Sequence, residues 1–194
     1  MAYREEMPAA PLELNFDPFP VLTTPRLILR PITLDDTAAM YALRSDKEVM
    51  RYIARPLALV EADAARYIEK LQQHQAANEG VTWGIAHAAN PRLIGTIGFW
   101  QISPEDRHAE IGYALAREHW GQGLMQEALP AVLAHGFDAL KLHRVEAVVA
   151  PRNLPSIQLL LRNGFEQEGL FRQNCFFAGE FLDSAVFARL TSSS

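Results

Sequence analysis

Two short stretches of this sequence place residue types where they could do chemistry. In "AEIGYAL", residues 109–115, an extended strand would send alternate side chains to opposite faces. Ile111, Tyr113 and Leu115 would share an apolar face. Glu110, Gly112 and Ala114 would share the other, where a carboxylate beside two nearly absent side chains leaves room for a reacting group. A solvent-facing glutamate on an edge strand would read the same way. In "EHWGQGLMQEA", residues 118–128, glycines at 121 and 123 flank one glutamine just before a helical run. The first turn of a helix leaves N–H groups unpaired and carries partial positive charge. Glycines there let backbone approach a phosphate closely. A plain turn would also use them. A P-loop would need Gly-Lys-Ser/Thr, where this chain has "GLM", and a dinucleotide fingerprint would need glycine at position 126, which is Gln.

The elements around these stretches follow from periodicity. "RLILRPI" alternates and reads as a first strand. Thr33 is placed to cap the next helix, with Asp35 and Asp36 in its first turn. "LVEADAARYIEKLQQH" carries Val60, Ala64, Tyr67, Ile68 and Leu71 at helical spacing. "TWGIAH" and "RLIGTIGFWQI" predict two strands joined by a turn, and "RHAEIGYAL" a third. A helix is expected from Gly123 to Phe137, which Pro130 should kink or cost a hydrogen bond. Leu129, Val132, Leu133 and Phe137 make its core stripe. "RVEAVV" predicts a strand, and "NLPSIQLLLRNGF" a helix closed by Asn163-Gly164. Two final strands, near 165–175 and 181–190, flank a hairpin turn at "AGE". Several strands are joined by short turns, which favours an α+β (mixed α/β) domain over a doubly wound parallel sheet. The expected sheet is mostly antiparallel, with helices on its faces. Pro8, Pro11, Pro18 and Pro20 forbid a regular helix in residues 1–20. That segment is read as an extended arm pinned by Leu14, Phe16 and Phe19, or as a loosely ordered terminus.

Composition narrows the function. A formal charge of −5 over 194 residues argues against direct nucleic-acid binding. The single cysteine, Cys175, admits no intrachain disulfide and fits a reducing compartment. No apolar run reaches the roughly 18 residues of a membrane span, and no signal-peptide pattern opens the chain. A cytoplasmic protein without membrane attachment is expected. His74, His87, His108, His119, His135 and His143 show no metal-ligand spacing, so no metal is expected.

Taken jointly, "AEIGYAL", "WGQGLMQEAL" and "HRVEAVVAPRNLPSIQLLLRNGFEQEG" resemble the GCN5-related N-acetyltransferases (GNAT), most closely the RimJ/RimL-type branch that acetylates ribosomal-protein N-termini. The resemblance spans residues 23–190. It implies a sheet of about seven strands with helices on both faces, in an acetyltransferase domain at 21–194 that follows the Pro-rich extension at 1–20. It implies acetyl-CoA as cofactor, with CoA as product. The N–H groups of Gly121, Gln122, Gly123, Leu124 and Met125 would hold the pyrophosphate, although Trp120 and Met125 depart from the general family pattern. Backbone around Tyr113, Ala114 and Leu115 would pair with the pantetheine arm, and an N–H near Ala114 would face the developing oxyanion. Asn153 would bond the same arm, or cap the helix that follows. Ser156 would lie near the thioester sulfur as hydrogen-bond donor or acid. Glu110 matches the position of the general base in histone-acetylating relatives. RimL-like relatives carry another glutamate where this chain has Cys175, which reads as a small buried hydrophobe.

An amine must lose a proton before it attacks a thioester. An α-amino group titrates near about 8 and a lysine near about 10.4, so a base helps at neutral pH. The resulting expectation is acetyl transfer to a primary amine, foremost a protein or peptide N-terminus. Acetylation of a small-molecule amine is the alternative on the same fold. A non-catalytic acyl-CoA sensor is a third reading, against which the retained Glu110 argues. Segments 34–75 and 172–184 would line the acceptor side. Acidic residues at 61, 63, 180 and 183 would attract a basic partner or merely face solvent. A homodimer is compatible with the sequence.

Overall fold

The computed structural model describes residues 10–191. Residues 1–9, including Pro8 of the proline-rich arm, lie outside the described residues. One sheet of eight strands runs in the order β1-β2-β3-β4-β5-β6-β8-β7. Its strands are β1 (Leu22–Thr23), β2 (Leu27–Arg30), β3 (Val81–His87), β4 (Asn90–Ser103), β5 (His108–Leu115), β6 (Arg144–Val149), β7 (Glu166–Phe177) and β8 (Glu180–Leu190). The strand beyond the expected seven is the two-residue β1, too short to leave an alternation in the sequence. Every neighbouring pair is antiparallel except β5 and β6.

Helices cover both faces. The helices α1 (Thr37–Ser45), α2 (Lys47–Met50) and α3 (Glu61–Ala76) precede β3; α4 (Leu124–Ala134) and α5 (Leu154–Arg162) flank β6 in the chain. Met40, Leu43, Ala64 and Ile68 of α1 and α3 pack with Ile32 and Leu93, and Ala114 packs against this cluster. The larger core joins Trp83, Ile97, Phe99, Ile111 and Leu115 of the sheet to Leu129, Val132 and Leu133 of α4 and Leu160 of α5. Alternation along β5 therefore sends its two residue sets into two different layers.

Local details follow the sequence reading except where long-range contacts intervene. Thr33 stands at the N-cap of the turn Leu34–Asp36, as expected, and Asp36 closes that cap, its carboxylate accepting the Thr33 N–H at 3.0 Å. Asp36 also receives Arg30 through two bonds of 2.8 and 2.7 Å. The helix expected to reach Phe137 stops at Ala134 and continues as a π-turn over His135–Ala139. Pro130 stays inside α4 with its side on the surface. In the arm, Phe16 is fully buried, and Leu14 and Phe19 pack against the larger core.

Candidate active site

The site is made by two strands that part. β5 pairs with β4 without interruption from Trp100↔Glu110 to Gly95↔Leu115, and again at Ser103↔His108 past an irregularity. It follows β6 for three residues only, His108↔Arg144 to Glu110↔Glu146. Beyond Glu110 the β6-facing edge of β5 is open. Peptide groups of alternate residues point to opposite strands. The Ala116 N–H donates to Ile94 of β4 at 2.8 Å, so Ala114 and Gly112 also turn their N–H and C=O to β4. The open edge is offered by the Ile111 C=O, the Tyr113 backbone and the Leu115 N–H. Ala114, expected to present its backbone to a ligand, has that backbone taken up by the ladder; its register could not be read from the sequence.

Glu110 stands at the last paired position before the strands part. Burial pushes its carboxyl above the ordinary range, and the nearby Glu146 carboxylate acts in the same direction. The Trp100 indole, Arg55 and His108 act against the rise. Glu146 is itself held by Arg144, whose guanidinium reaches both Glu146 and Glu168 at 2.5 Å. The room expected beside Glu110 is filled. Trp100, opposite Glu110 in register, lays its indole over Gly112, where an added Cβ would lie 1.7 Å from the ring. A bulge follows at once, with Gln101 at φ 49°, a device that re-aims side chains.

On the opposite face, Tyr113 is more than core. Its hydroxyl lies 2.8 Å from Ser156 Oγ. Burial, partly offset by that bond, pushes the phenol up to about 12. Asn153 does cap α5, its side-chain oxygen accepting the Ser156 N–H at 3.3 Å. One side chain thus orients the turn that carries Ser156, and Tyr113 holds that serine's hydroxyl. Cys175 is half-buried in the β7–β8 hairpin opposite Leu182, and remains a free thiol.

The glycine loop has the form a close-approach site requires. Gly121 and Gly123 both sit at φ 73°, in the left-handed region that side chains disfavour. No atom lies within 4 Å of the place a Gly121 Cβ would take. Gly123 is the N-cap of α4, and Leu124 and Met125 open its first turn. Trp120, 47% exposed, donates its indole N–H to the Leu115 carbonyl at 2.7 Å. The loop is thereby tied to the end of the open strand edge. Glu127, in the first turn of α4, accepts Thr24 Oγ1, the Arg26 N–H and Arg26 Nε at 2.5, 2.8 and 2.6 Å. Burial opposes ionisation of Glu127, but these three donors hold it below the usual carboxylate range.

Of the acidic residues considered on the acceptor side, two have local duties. Asp63 caps α3 by accepting the Leu59 and Val60 N–H groups at 2.8 and 3.1 Å. Asp183 accepts the Gln173 N–H at 2.8 Å.

An open strand edge leading to a glycine loop at a helix start matches a known architecture. Residues 26–166 match the family described as an acetyltransferase (GNAT) domain. The chain belongs to the GNAT acetyltransferase family. It is 40% identical over 178 residues to the uncharacterized N-acetyltransferase YoaA of Bacillus subtilis (strain 168), across 88% of this chain and 96% of that one. The ribosomal-protein-serine acetyltransferase of Escherichia coli (strain K12) is 39% identical over 101 residues, 52% of this chain and 56% of that one. The structure of Mycobacterium smegmatis RimJ in complex with CoA-disulfide is similar at a TM-score of 0.77 and 25% identity, covering 89% of this chain and 86% of that one.

GNAT acetyltransferases use acetyl-CoA, and this chain is an acetyl-CoA-dependent N-acetyltransferase of that family. The residues present fit the group. Left-handed glycines, unpaired first-turn amides and a free strand edge are what a pyrophosphate and an amide-bearing arm require. Trp100, Arg26 and the Tyr113 hydroxyl escaped the sequence reading. For Tyr113 the only signal available was that its phenol, buried, would need a partner.

Proposed function

We propose that this acetyltransferase modifies a protein or peptide N-terminal α-amine, with Glu110 as general base. The observation that carries the reading is the place of Glu110. It sits where β5 and β6 part, with burial raising its pKa toward the range a base needs. Acetyl-CoA supplies, when bound, an acetyl group activated as a thioester. The N–H groups of Gly121, Gln122, Gly123, Leu124 and Met125 hold its pyrophosphate. The Tyr113 backbone and the Leu115 N–H pair with its pantetheine arm, because they face the open edge. The Asn153 oxygen is committed to the cap, so its amide nitrogen is the group left for the arm.

Glu110 removes a proton from the incoming ammonium. Ser156 donates a hydrogen bond to the departing sulfur, and the Tyr113 hydroxyl supports that serine. A serine hydroxyl is a weak acid, so hydrogen bonding is the assigned role. The acceptor enters between the α1–α3 layer and the β7–β8 hairpin, which carries Phe176 and Phe181 exposed and packed together at 4.9 Å. The activity named for the Escherichia coli relative supports a protein acceptor. Among the described residues no helix is long and apolar enough to cross a membrane. The same reading puts the protein in the cytoplasm, acting on protein rather than nucleic acid.

The test is release of free CoA thiol with peptides beginning Ala or Ser, set against spermidine. Faster release with the peptides is the expected result. Preference for spermidine would assign a small-molecule acceptor, and no release with any amine would favour a CoA-binding sensor.

A further inference from the structure

We infer that Arg26, on the approach to β2, is a positioning residue of the CoA pyrophosphate cradle, setting the direction of the Gly123 N–H and neutralising Glu127 beneath it. The inference rests on the acetyl-CoA cradle at Gly121–Met125. Arg26 is distant in sequence from the loop, yet its guanidinium grips two points of it. Nη1 donates to the Gln122 carbonyl at 3.0 Å, and Nε donates to Glu127 Oε2 at 2.6 Å. Nη2 lies 3.7 Å from where a Gly123 Cβ would stand.

Two consequences follow from elementary geometry and charge. In a trans peptide the C=O and the next N–H point in opposite directions. Holding the Gln122 carbonyl toward Arg26 therefore turns the Gly123 N–H away from the guanidinium, as a donor with its direction fixed. The glycine is free to flip without that hold, since its φ of 73° is not imposed by any side chain of its own. The second consequence concerns Glu127. A carboxylate in the first turn of α4 would repel a pyrophosphate bound at the same helix start. Arg26 pairs with one of its oxygens, and Thr24 and the Arg26 N–H occupy the other. The fork of the guanidinium matters as well as its charge, because a lysine cannot reach a carbonyl and a carboxylate in one plane.

Calorimetry on the full chain tests this with CoA and with pantetheine, the fragment lacking pyrophosphate and nucleotide. Wild type, Arg26→Ala and Arg26→Lys are compared, each with its melting curve. CoA affinity is expected to fall about tenfold or more in both variants, and the loss for pantetheine to be several-fold smaller. If Arg26→Ala melts below the assay temperature, Arg26→Lys alone carries the comparison. Wild-type CoA affinity in Arg26→Lys would mean that charge alone suffices and would overturn the positioning role. Equal losses for CoA and pantetheine would overturn it too, as would undiminished CoA affinity in Arg26→Ala. A wild-type chain, cleared of copurified cofactor, that binds no CoA would overturn the cradle itself and this inference with it.

Discussion

The Tyr113 hydroxyl and Ser156 Oγ, 2.8 Å apart, fasten the open strand β5 to the first turn of α5. The two hydroxyls form one unit, so removing either should cost much of what removing both costs. Ser156→Ala is expected to lower kcat about tenfold, the value of one hydrogen bond to a developing charge. Tyr113→Phe should lower it less, and the double variant should fall no further than Ser156→Ala. Steady-state kinetics at saturating acetyl-CoA measures this; fully additive losses would show that the pair does not act together. With its phenol pushed up to about 12, Tyr113 stays protonated through neutral pH, so it should add no alkaline limb there.

Glu110 gives a pH prediction with a definite sign. Its carboxyl is raised above 4.5 by burial, and a base must be ionised to work. Activity should therefore fall on the acid side at a pH above that ordinary value. Glu110→Gln should cut turnover by roughly 10²–10⁴, leave acetyl-CoA affinity nearly intact and abolish the acid limb. A pH–rate profile of both proteins reads the result. Unchanged turnover would remove Glu110 from the role.

Gly112 is required by Trp100. A Cβ at 112 would lie 1.7, 2.5 and 2.8 Å from three atoms of the indole. Gly112→Ala is expected to destabilise the fold by about 1–3 kcal/mol, and Trp100→Leu in the same chain should recover most of it. Urea unfolding of the single and double variants measures the coupling. Equal stability of Gly112→Ala and wild type would mean the indole does not hold this place in solution.

The Arg30–Asp36 pair fixes the entry to α1 behind the acceptor side. Burial opposes ionisation of Asp36, yet the Arg30 fork and the Thr33 N–H outweigh it and leave the pKa lowered from 3.8. A carboxyl with a depressed folded pKa stabilises fully above its unfolded value, and that contribution is lost as pH falls through the folded one. Asp36→Asn should destabilise by about 1–3 kcal/mol at neutral pH, since it removes the charged partner of a half-buried arginine that keeps only the Pro31 and Pro91 carbonyls. The difference from wild type should shrink on acidification below 3.8. Denaturation midpoints across pH follow this directly.

How far the sequence reveals the site depends on whether a residue's signal is local. Gly121 and Gly123 announce themselves because a positive φ before a helix is a backbone demand that few residues meet. Alternation placed Ile111 and Leu115 in one layer and Ala114 in the other, as found. Alternation does not give register, and register decides that Trp100 faces Glu110 and covers Gly112. Nor does it say which strand a peptide group faces, so it cannot tell the backbone of Ala114, which faces β4, from those of Tyr113 and Leu115, which face the open edge. Arg26 was invisible for a plainer reason: its partners Gln122 and Glu127 stand 96 and 101 residues away. Periodicity overruns the end of α4 because the apolar stripe continues to Phe137, inside the π-turn His135–Ala139 and packed on the larger core.

Calorimetric titration of acetyl-CoA into the wild-type chain, cleared of copurified cofactor, and into Gly123→Asp tests the account at its centre. Aspartate tolerates the left-handed backbone at 123 better than most residues, so the variant should fold. Its carboxylate would stand beside the pyrophosphate site and compete for Arg26. Binding in wild type, weakened at least about tenfold in a folded Gly123→Asp, is the predicted result. No binding by the wild type, or equal binding by the two, would contradict the cradle and with it the placing of chemistry at Glu110.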